Sequence, residues 1–376
     1  MNKQQCVSLT EIIHISSSAM ATRKAFFVIL IALLISILVA VPTRAQSIGV
    51  CYGMLGNNLP QPTAVVNLYR SNGIGRMRLY DPNQTALRAL RNSNIQLIMD
   101  VPRTELQSLA SNPSAAANWV QANVVAFWPS VSFRYIAVGN ELIPGDAAAQ
   151  YVLPAMRNVQ TALSSAGLQN QIKVSTAVDT GVLGQSFPPS NGAFSAAAQA
   201  YLAPILQFLR GNNAPLLVNV YPYFSYADNP SQISLAYALF TAGGVVVQDG
   251  QFGYQNLFDA QVDAVYAALE KAGAGSVVVV VSESGWPSAG GFAASVNNAR
   301  TYNQNLIRHV GRGTPRRAGR AIEAYLFAMF NENQKSPGVE QNFGLFYPNG
   351  QPVYPISFSQ GAIDEVDGLA DVRSVY

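Results

Sequence analysis

A run of five valines, Val277–Val281, is followed by Ser282 and then by the carboxylate of Glu283. Such a run suits a dry core, where an ionised side chain is costly unless it has a partner. A second apolar stretch, YIAVGNE, ends in the same way at Glu141. Two opposed carboxylates can hydrolyse a glycosidic bond: one protonates the leaving oxygen, and the other attacks the anomeric carbon or activates water. Their separation, about 5–5.5 Å for retention and about 6.5–9.5 Å for inversion, is left open.

The chain that must position these acids repeats one pattern from Ile48 onward, a short apolar run followed by a loop and a helix-like segment. Eight strand candidates begin at Ile48, Gly75, Ile95, Arg134, Ile172, Pro215, Ser276 and Ala324. Near-continuous apolar strands that alternate with helices are typical of a parallel sheet covered by helices. Eight such units in about 310 residues predict an α/β chain with a single (β/α)8 TIM barrel. A doubly wound open sheet is the alternative.

Active sites of such barrels lie at the carboxyl ends of the strands. Acids stand at four predicted strand ends, Asp81, Glu141, Glu283 and Glu332. Glu141 ends the fourth strand and Glu283 the seventh, roughly across a closed barrel, so both can point into one cleft. A solvated carboxylate at a strand end is the alternative for either one.

Aromatic side chains near the strand ends are consistent with a sugar-binding cleft, because they pack on the apolar faces of pyranose rings. The candidates are Tyr52, Tyr80, Tyr221, Tyr223, Phe224, Tyr226, Trp286, Phe330 and Phe346. For any single one, a place in the core is about as probable. The segment NVYPYFSYADNP after the sixth strand holds four of them, and Pro222 and Pro230 predict that it is a loop.

The N-terminal segment is predicted to be a secretory signal peptide, residues 1–45. Arg23 and Lys24 precede an apolar run, Ala25–Val41, and the small residue Ala45 offers a cleavage site before Gln46. A membrane anchor is the alternative, since the run is about as long as a span.

Few residues are available for other chemistries. The chain has two cysteines and two histidines, and removal of residues 1–45 leaves Cys51, expected to be a buried apolar side chain, and His309. One histidine argues against a Ser-His-Asp enzyme and a histidine-rich zinc site, so neither metal nor cofactor is expected. A net charge of +3 is too weak to indicate nucleic-acid binding. For the basic stretch GRGTPRRAGR, residues 311–320, a solvated surface is favoured over a polyanion site.

The stretch VVVSESGWPSAGG resembles the signature of glycoside hydrolase family 17, which includes the plant endo-1,3-β-glucanases. The resemblance runs through nearly all of the predicted mature chain, with IGVCYGMLGNNLP, MRLYDPNQ, YIAVGNELIPG, KVSTAVDTGVLG, LLVNVYPYFSY, ARTYNQNLIRHV and MFNENQKSPGVEQNFGLFYPNG. It implies a (β/α)8 domain over residues 46–358 and retaining endo-hydrolysis of 1,3-β-glucan. The same scaffold also serves hydrolysis of mixed 1,3;1,4-β-glucan, and a non-catalytic wall-binding protein is a further alternative.

Carried over residue by residue, the resemblance implies that Glu283 is the nucleophile and Glu141 the acid/base. Glu332, Lys335 and, with a poorer fit to the barrel, Glu323 correspond to supporting polar groups. Asn140 is expected to contact the 2-hydroxyl of the reacting sugar. The full set expected to bind substrate is Asn140, Tyr52, Tyr80, Tyr221, Phe224, Trp286, Phe330, Glu332 and Lys335.

Two further segments bear on processing and location. Asn83 begins the sequon NQT and is a candidate for N-glycosylation. Residues 359–376 hold four acids against Arg373 and are expected to be a disordered or removable acidic tail, comparable to vacuolar sorting tails of some relatives. The predicted product is a secreted monomer of the cell wall or the vacuole, with a role in defence or wall metabolism. Its expected partner is β-1,3-glucan, with no nucleic acid and no membrane once the signal is removed.

Overall fold

The computed structural model describes residues 47–358. The predicted signal peptide, residues 1–45, and the predicted acidic tail, residues 359–376, lie outside the described residues. Within the described part, no helix combines the length and the apolar character that a membrane span requires.

Eight parallel strands form a closed barrel, which confirms the predicted fold class. The strands are β1 (Ile48–Tyr52), β2 (Arg76–Leu79), β3 (Gln96–Val101), β4 (Ser132–Asn140), β5 (Lys173–Asp179), β6 (Leu216–Asn219), β7 (Val279–Ser284) and β8 (Ala324–Leu326). Each strand pairs with its neighbours in sequence, and β1 closes the barrel against β8. The valine run enters β7, whose six residues are all buried. All eight predicted strands are present.

Helices occupy the connections between the strands. They are α1 (Pro62–Ser71), α2 (Gln84–Leu90), α3 (Leu106–Ser111), α4 (Pro113–Val120), α5 (Ala149–Ser165), α6 (Ala196–Asn212), α7 (Pro222–Asp228), α8 (Leu235–Ala238), α9 (Leu257–Lys271) and α10 (Val296–His309). Two short hairpins pair Leu183–Gln185 with Ala193–Phe194 and Val247–Asp249 with Phe252–Tyr254. Helix α4 begins at Pro113 after the capping side chain of Asn112, which fits proline at a first helical position.

Two helices are weakly marked in the sequence. Helix α6, between β5 and β6, has an alanine-rich sequence with a weak amphipathic pattern, and the Ser195 side chain caps its first turn. The segment after β6 is predicted to be a loop but forms the short helix α7. That prediction is wrong because Pro222 stands at the first turn of the helix, where proline is tolerated.

Candidate active site

A cleft of about 930 Å³ opens at the carboxyl ends of the barrel strands. Eight of the residues predicted to serve catalysis or substrate binding line it: Tyr80, Asn140, Glu141, Tyr221, Phe224, Glu283, Glu332 and Lys335. The barrel therefore brings together side chains as far apart in the sequence as Tyr80 and Lys335, as expected for strand ends that meet at one rim.

Glu283 lies at the end of β7 and is almost completely buried. Its Oε1 accepts hydrogen bonds from Arg78 Nη1 at 2.9 Å and from the Tyr80 hydroxyl at 2.7 Å. Its Oε2 accepts from the Tyr221 hydroxyl at 2.7 Å. Burial raises the pKa of both tyrosines well above the usual value, so their hydroxyls keep their protons and donate. Three donors, one of them a cation, compensate for burying a carboxylate behind five valines.

Arg78 is fully buried in β2 and connects several groups of the site. Its Nε and Nη2 donate to the two oxygens of Asp100 at 3.2 and 2.7 Å. Burial raises the pKa of Asp100 to about 6, although the Arg78 cation acts in the opposite direction. Neither residue is predicted from the sequence. The only signal is an arginine at a position of an apolar strand that faces the core, where a charge requires a partner.

Glu141 follows β4 and has a left-handed backbone conformation, with φ of 54°. A non-glycine residue rarely adopts this conformation, and such strain concentrates at functional sites. The Glu141 amide donates to the Ala177 carbonyl at 2.9 Å, which fixes the turn. Burial, and next the charge of Glu283, raise the pKa of Glu141 to about 7. Near neutral pH this carboxyl group can therefore hold a proton and donate it.

Two asparagines, Asn140 and Asn219, connect Glu141 to Arg78 through hydrogen bonds. Asn219, at the end of β6, donates to Glu141 Oε1 at 2.8 Å and to Asn140 Oδ1 at 3.0 Å, and its Oδ1 accepts from Arg78 at 3.2 Å. Asn140 Oδ1 also accepts from Arg78 at 2.9 Å. With its oxygen engaged twice, Asn140 presents Nδ2 without a partner among residues 47–358, in the wall of the cleft. Asn219 is not among the predicted residues.

One wall of the cleft is aromatic. Phe224 is the most exposed member, at 38%, and its ring lies edge-on to Tyr221 at 5.5 Å between centroids. Tyr221 in turn contacts Phe327 and Phe343 at 6.3 and 5.9 Å. Phe327 and Phe343 are not among the predicted residues. They pack against the exposed ring and its neighbour, which gives a pyranose a rigid apolar surface.

The rim opposite Glu141 carries a lysine between two acids. Lys335 Nζ lies 3.9 Å from Glu332, 3.6 Å from Glu340 and 4.2 Å from the centre of the Phe327 ring. Glu332 Oε1 also accepts from the Leu55 amide at 2.8 Å. A Cβ at Gly53, the residue after β1, would overlap the Glu332 carboxylate, so this glycine allows the backbone to approach the acid. Burial raises the pKa of Glu332.

Three aromatic residues expected to bind substrate do not line the cleft. The rings of Tyr52 and Phe330 are buried and meet edge-on at 6.2 Å. Trp286 is fully buried, and its Nε1 donates to the Ala293 carbonyl at 3.0 Å. The expectation of substrate contact is corrected for all three. Their large apolar surfaces are covered by the core and by the loop after β7, which is the more favourable place for them in the absence of ligand.

The expectation that Glu323 supports the cleft is also wrong. It precedes β8, at the amino-terminal end of the barrel, and its carboxylate accepts from Arg134 Nη2 at 2.6 Å. Arg76 lies 3.7 Å away. The cleft lies at the carboxyl ends of the strands. Glu323 therefore forms part of a structural ion-pair cluster at the amino-terminal end of the barrel.

Asn83 and Cys51, two other positions singled out in the sequence, lie outside the cleft lining. Asn83 caps helix α2, its Oδ1 accepting from the amides of Thr85 and Ala86 at 3.1 and 3.0 Å; its glycosylation stays a prediction. Cys51 is buried and free, as predicted. Within residues 47–358, no cluster of three or more His, Cys, Asp or Glu side chains is arranged to hold a metal ion.

Comparison with known proteins places this geometry in context. The model of the family "Glycosyl hydrolases family 17" matches residues 48–358. A glucan endo-1,3-beta-glucosidase of Vitis vinifera is 61% identical over 90% of this chain and 99% of its own length. A glucan endo-1,3-beta-glucosidase, basic vacuolar isoform, of Nicotiana plumbaginifolia is 54% identical over 88% and 91% of the two chains. A solved chain from a study of two plant beta-glucan endohydrolases with distinct substrate specificities is 57% identical, with a TM-score of 0.80, and the match covers 82% of this chain and 99% of that one.

Proposed function

This chain belongs to glycosyl hydrolase family 17, and on that premise we propose that it is a retaining endo-1,3-β-glucanase. Glu283 is the proposed nucleophile and Glu141 the proposed acid/base. One observation carries the proposal: the two acids lie in one cleft in opposite environments. Glu283 accepts from a cation and two hydroxyls, whereas burial raises the pKa of Glu141 to about 7. Environments that differ in this way separate an acid from a nucleophile.

The first step forms a covalent intermediate. Glu141 transfers its proton to the glycosidic oxygen while the bond between that oxygen and C1 breaks. An oxygen of Glu283 forms a new bond to C1 from the opposite face, through an oxocarbenium-like transition state. The leaving glucan departs with a free hydroxyl group, and Glu141 is left as a carboxylate.

The second step returns the enzyme to its starting state. The Glu141 carboxylate removes a proton from water, and the oxygen of that water bonds to C1 as the bond to Glu283 breaks. Two inversions at C1 give a product with the β configuration of the substrate. Asn140 Oδ1 is held by Arg78 and Asn219, which fixes the direction of Nδ2. The Nδ2 group, without a partner among residues 47–358, can donate a hydrogen bond to the 2-hydroxyl of the reacting sugar, a contact that strengthens in the transition state.

The open shape of the cleft supports attack within a chain. Its lining includes Gly53 and Met54 after β1 and Asp228 and Asn229 at the end of α7. Its volume of about 930 Å³ is large enough for several sugar units. The Phe224 ring lies in the aromatic wall where an apolar sugar face can pack. The mixed 1,3;1,4-β-glucan is the second candidate substrate, because the similar solved chain comes from a pair with distinct specificities.

We expect the enzyme to release short oligosaccharides from a linear 1,3-β-glucan, with the β anomer appearing first. The measurement is incubation of the protein with that glucan and, separately, with a mixed-linkage glucan, followed by product sizing and by NMR of the anomeric protons. Initial α anomer would contradict retention. Cleavage of the mixed-linkage glucan alone would move the substrate to the second candidate, and a folded protein that cleaves neither would be a binding scaffold.

We expect kcat/KM to fall as the pH rises through about 7, because Glu141 must carry its proton to act as the acid. Its raised pKa places the loss of the protonated form at about this pH, and the decline should approach tenfold per pH unit above it. The measurement is kcat/KM on a soluble 1,3-β-glucan oligosaccharide across the neutral range. Glu141→Gln, which cannot titrate, should be much slower and should lack this limb. The same limb in that variant would assign the titration to another group.

Secretion, with the cell wall or the vacuole as the destination, remains part of the proposal, as do a monomeric state and a role in defence. The Nicotiana relative is named as a vacuolar isoform, which supports the vacuole as one of the two destinations. Removal of residues 359–376 is proposed on the acidic composition of that segment.

A further inference from the structure

Five arginines lie close together in sequence at the end of the barrel opposite the cleft. These residues, here called the arginine ridge, are Arg308, Arg312, Arg316, Arg317 and Arg320. They belong to the last turn of α10 and to the connection from α10 to β8. A connection that leads into a strand lies at the amino-terminal end of the barrel, so the ridge faces away from the catalytic candidates.

Three ridge arginines carry charges that no acid of the described part neutralises. Arg316 and Arg317 pair with Glu270. Arg308, Arg312 and Arg320 are exposed, and no ion pair involves them within residues 47–358. An isolated exposed arginine is unremarkable, but three at one end of one loop give a local excess of positive charge.

Two depressions flank the ridge and extend this basic surface. One, of about 430 Å³, is lined by Arg308 and Arg312; the other, of about 390 Å³, is lined by Arg320 and Lys173. The acids in these described linings are already engaged. Asp259 lies 2.7 Å from His309 Nε2, and Glu323 lies 2.6 Å from Arg134. Both carboxylates in the two described linings therefore already have a hydrogen-bonding partner, and Glu323 is paired with an arginine.

Buried contacts hold the connection that carries the ridge in a defined conformation. The Thr314 hydroxyl donates to Asp263 Oδ1 at 2.5 Å, and the Arg316 amide donates to Asp263 Oδ2 at 2.9 Å. Asp263 itself is fully buried. The Gly319 amide donates to the Arg312 carbonyl at 2.9 Å, which closes the loop. A fixed backbone lowers the entropy cost of presenting several cations to one partner.

The cleft has the opposite charge. The acids that line it are Asp81, Glu141, Asp179, Asp228, Glu283, Glu332 and Glu340, against Lys335 as the cation of the described lining. A polyanion is therefore attracted to one end of the barrel and repelled from the other. A protein bound to a polyanion through the ridge therefore still has a cleft that a neutral glucan chain can enter.

We propose that the arginine ridge and its two flanking depressions bind a carboxylate-bearing anionic polysaccharide. Guanidinium groups pair with carboxylates in a bidentate geometry. No aromatic ring in the two described linings is exposed, whereas proteins that bind single-stranded nucleic acids stack the bases on such rings. Val278 is the one exposed large apolar side chain in the two described linings, which is too little for insertion into a membrane. This binding is independent of the proposed hydrolysis.

The test is binding of the full chain to immobilised polygalacturonate at several salt concentrations. Binding should weaken as salt rises. In the triple variant Arg308→Gln, Arg312→Gln, Arg320→Gln, we expect the Kd to rise by about tenfold or more and the salt dependence to become shallower. The matched control is Arg70→Gln, Arg88→Gln, Arg157→Gln, three exposed arginines of α1, α2 and α5 that change the net charge equally. Its Kd should stay within about twofold of the parent chain. Both variants should cleave a short neutral 1,3-β-glucan at the parental rate.

Several outcomes would overturn the proposal. Equal loss of binding in both triple variants would mean that only net charge matters. Tighter binding to single-stranded DNA or to anionic phospholipid vesicles than to polygalacturonate would assign the surface to another class of partner. Binding that appears only after Asp364, Glu365, Asp367 and Asp371 are replaced by amides would make the chain's own acidic segment the occupant. A parent chain that does not cleave the glucan would contradict the proposed function, and the measurement of polygalacturonate binding at the ridge would still be valid.

Discussion

Replacing Glu283 by Gln is expected to lower kcat on a linear 1,3-β-glucan by a factor on the order of 10⁴ or more. The amide cannot form the covalent bond to C1 on which the proposed mechanism depends. The amide has almost the shape of the carboxylate. Its oxygen can still accept from Arg78 and Tyr80, which donate to Oε1 of Glu283 in the parent protein. Arg78 also keeps its two bonds to Asp100. The thermal unfolding temperature should therefore change little, and both quantities are measured on the same preparation.

The matched control is Asp228→Asn, which removes one carboxylate from the same cleft and should keep kcat within a few-fold of the parent. A positive readout distinguishes a nucleophile from a residue that merely positions others. In Glu283→Gly, added azide should enter the vacated space and attack C1 of an activated β-glucoside, giving a glucosyl azide of α configuration. Substantial hydrolysis by Glu283→Gln would reject the assignment.

The proposed catalytic pair, Glu141 and Glu283, could be inferred from the sequence because the spacing of the apolar runs and the position of each acid within its run carry the information. Apolar runs such as Val277–Val281 predict strands, eight such runs predict a closed barrel, and a carboxylate at the end of a run then has a defined place. The same reasoning leads from Ile48 to β1 and from Ala324 to β8. These inferences depend on local composition and on chain order, both of which a single sequence provides.

Other parts of the site were beyond this kind of reasoning. Residue type does not separate a ring that faces sugar from a ring that fills a core, so Phe224 was correctly placed in the cleft and Trp286 was not. The Asn219 and Arg78 contacts join β6 and β2 to β4 and β7. Such contacts depend on side-chain direction within a closed barrel, which alternation alone does not fix when strands are buried on both faces.

Arg78→Met is expected to lower the free energy of unfolding by about 3–5 kcal/mol at pH 8, because it leaves buried carboxylates without their cation. Arg78 lowers the pKa of Asp100, which burial nevertheless raises to about 6. A carboxyl group with a raised folded-state pKa gives stability at low pH that is lost as the pH rises through that value. Without Arg78 this pKa rises further, so the stability deficit should be smaller at pH 5 than at pH 8. Denaturant unfolding at the two pH values measures it.

The double variant Arg78→Met, Asp100→Asn separates unpaired charge from lost packing. Replacing Asp100 by a neutral amide removes one stranded carboxylate, so part of the stability at pH 8 should return, and the pH dependence of the deficit should shrink. Glucan cleavage should stay low, because Glu283 and Asn140 still lack the guanidinium that holds both. Arg157→Met, on the exposed face of α5, controls for loss of an arginine and should be close to the parent. A single Arg78 variant as stable as the parent at pH 8 would show that the buried charges do not depend on Arg78, and the site would then owe its order to Asn219 and the two tyrosines.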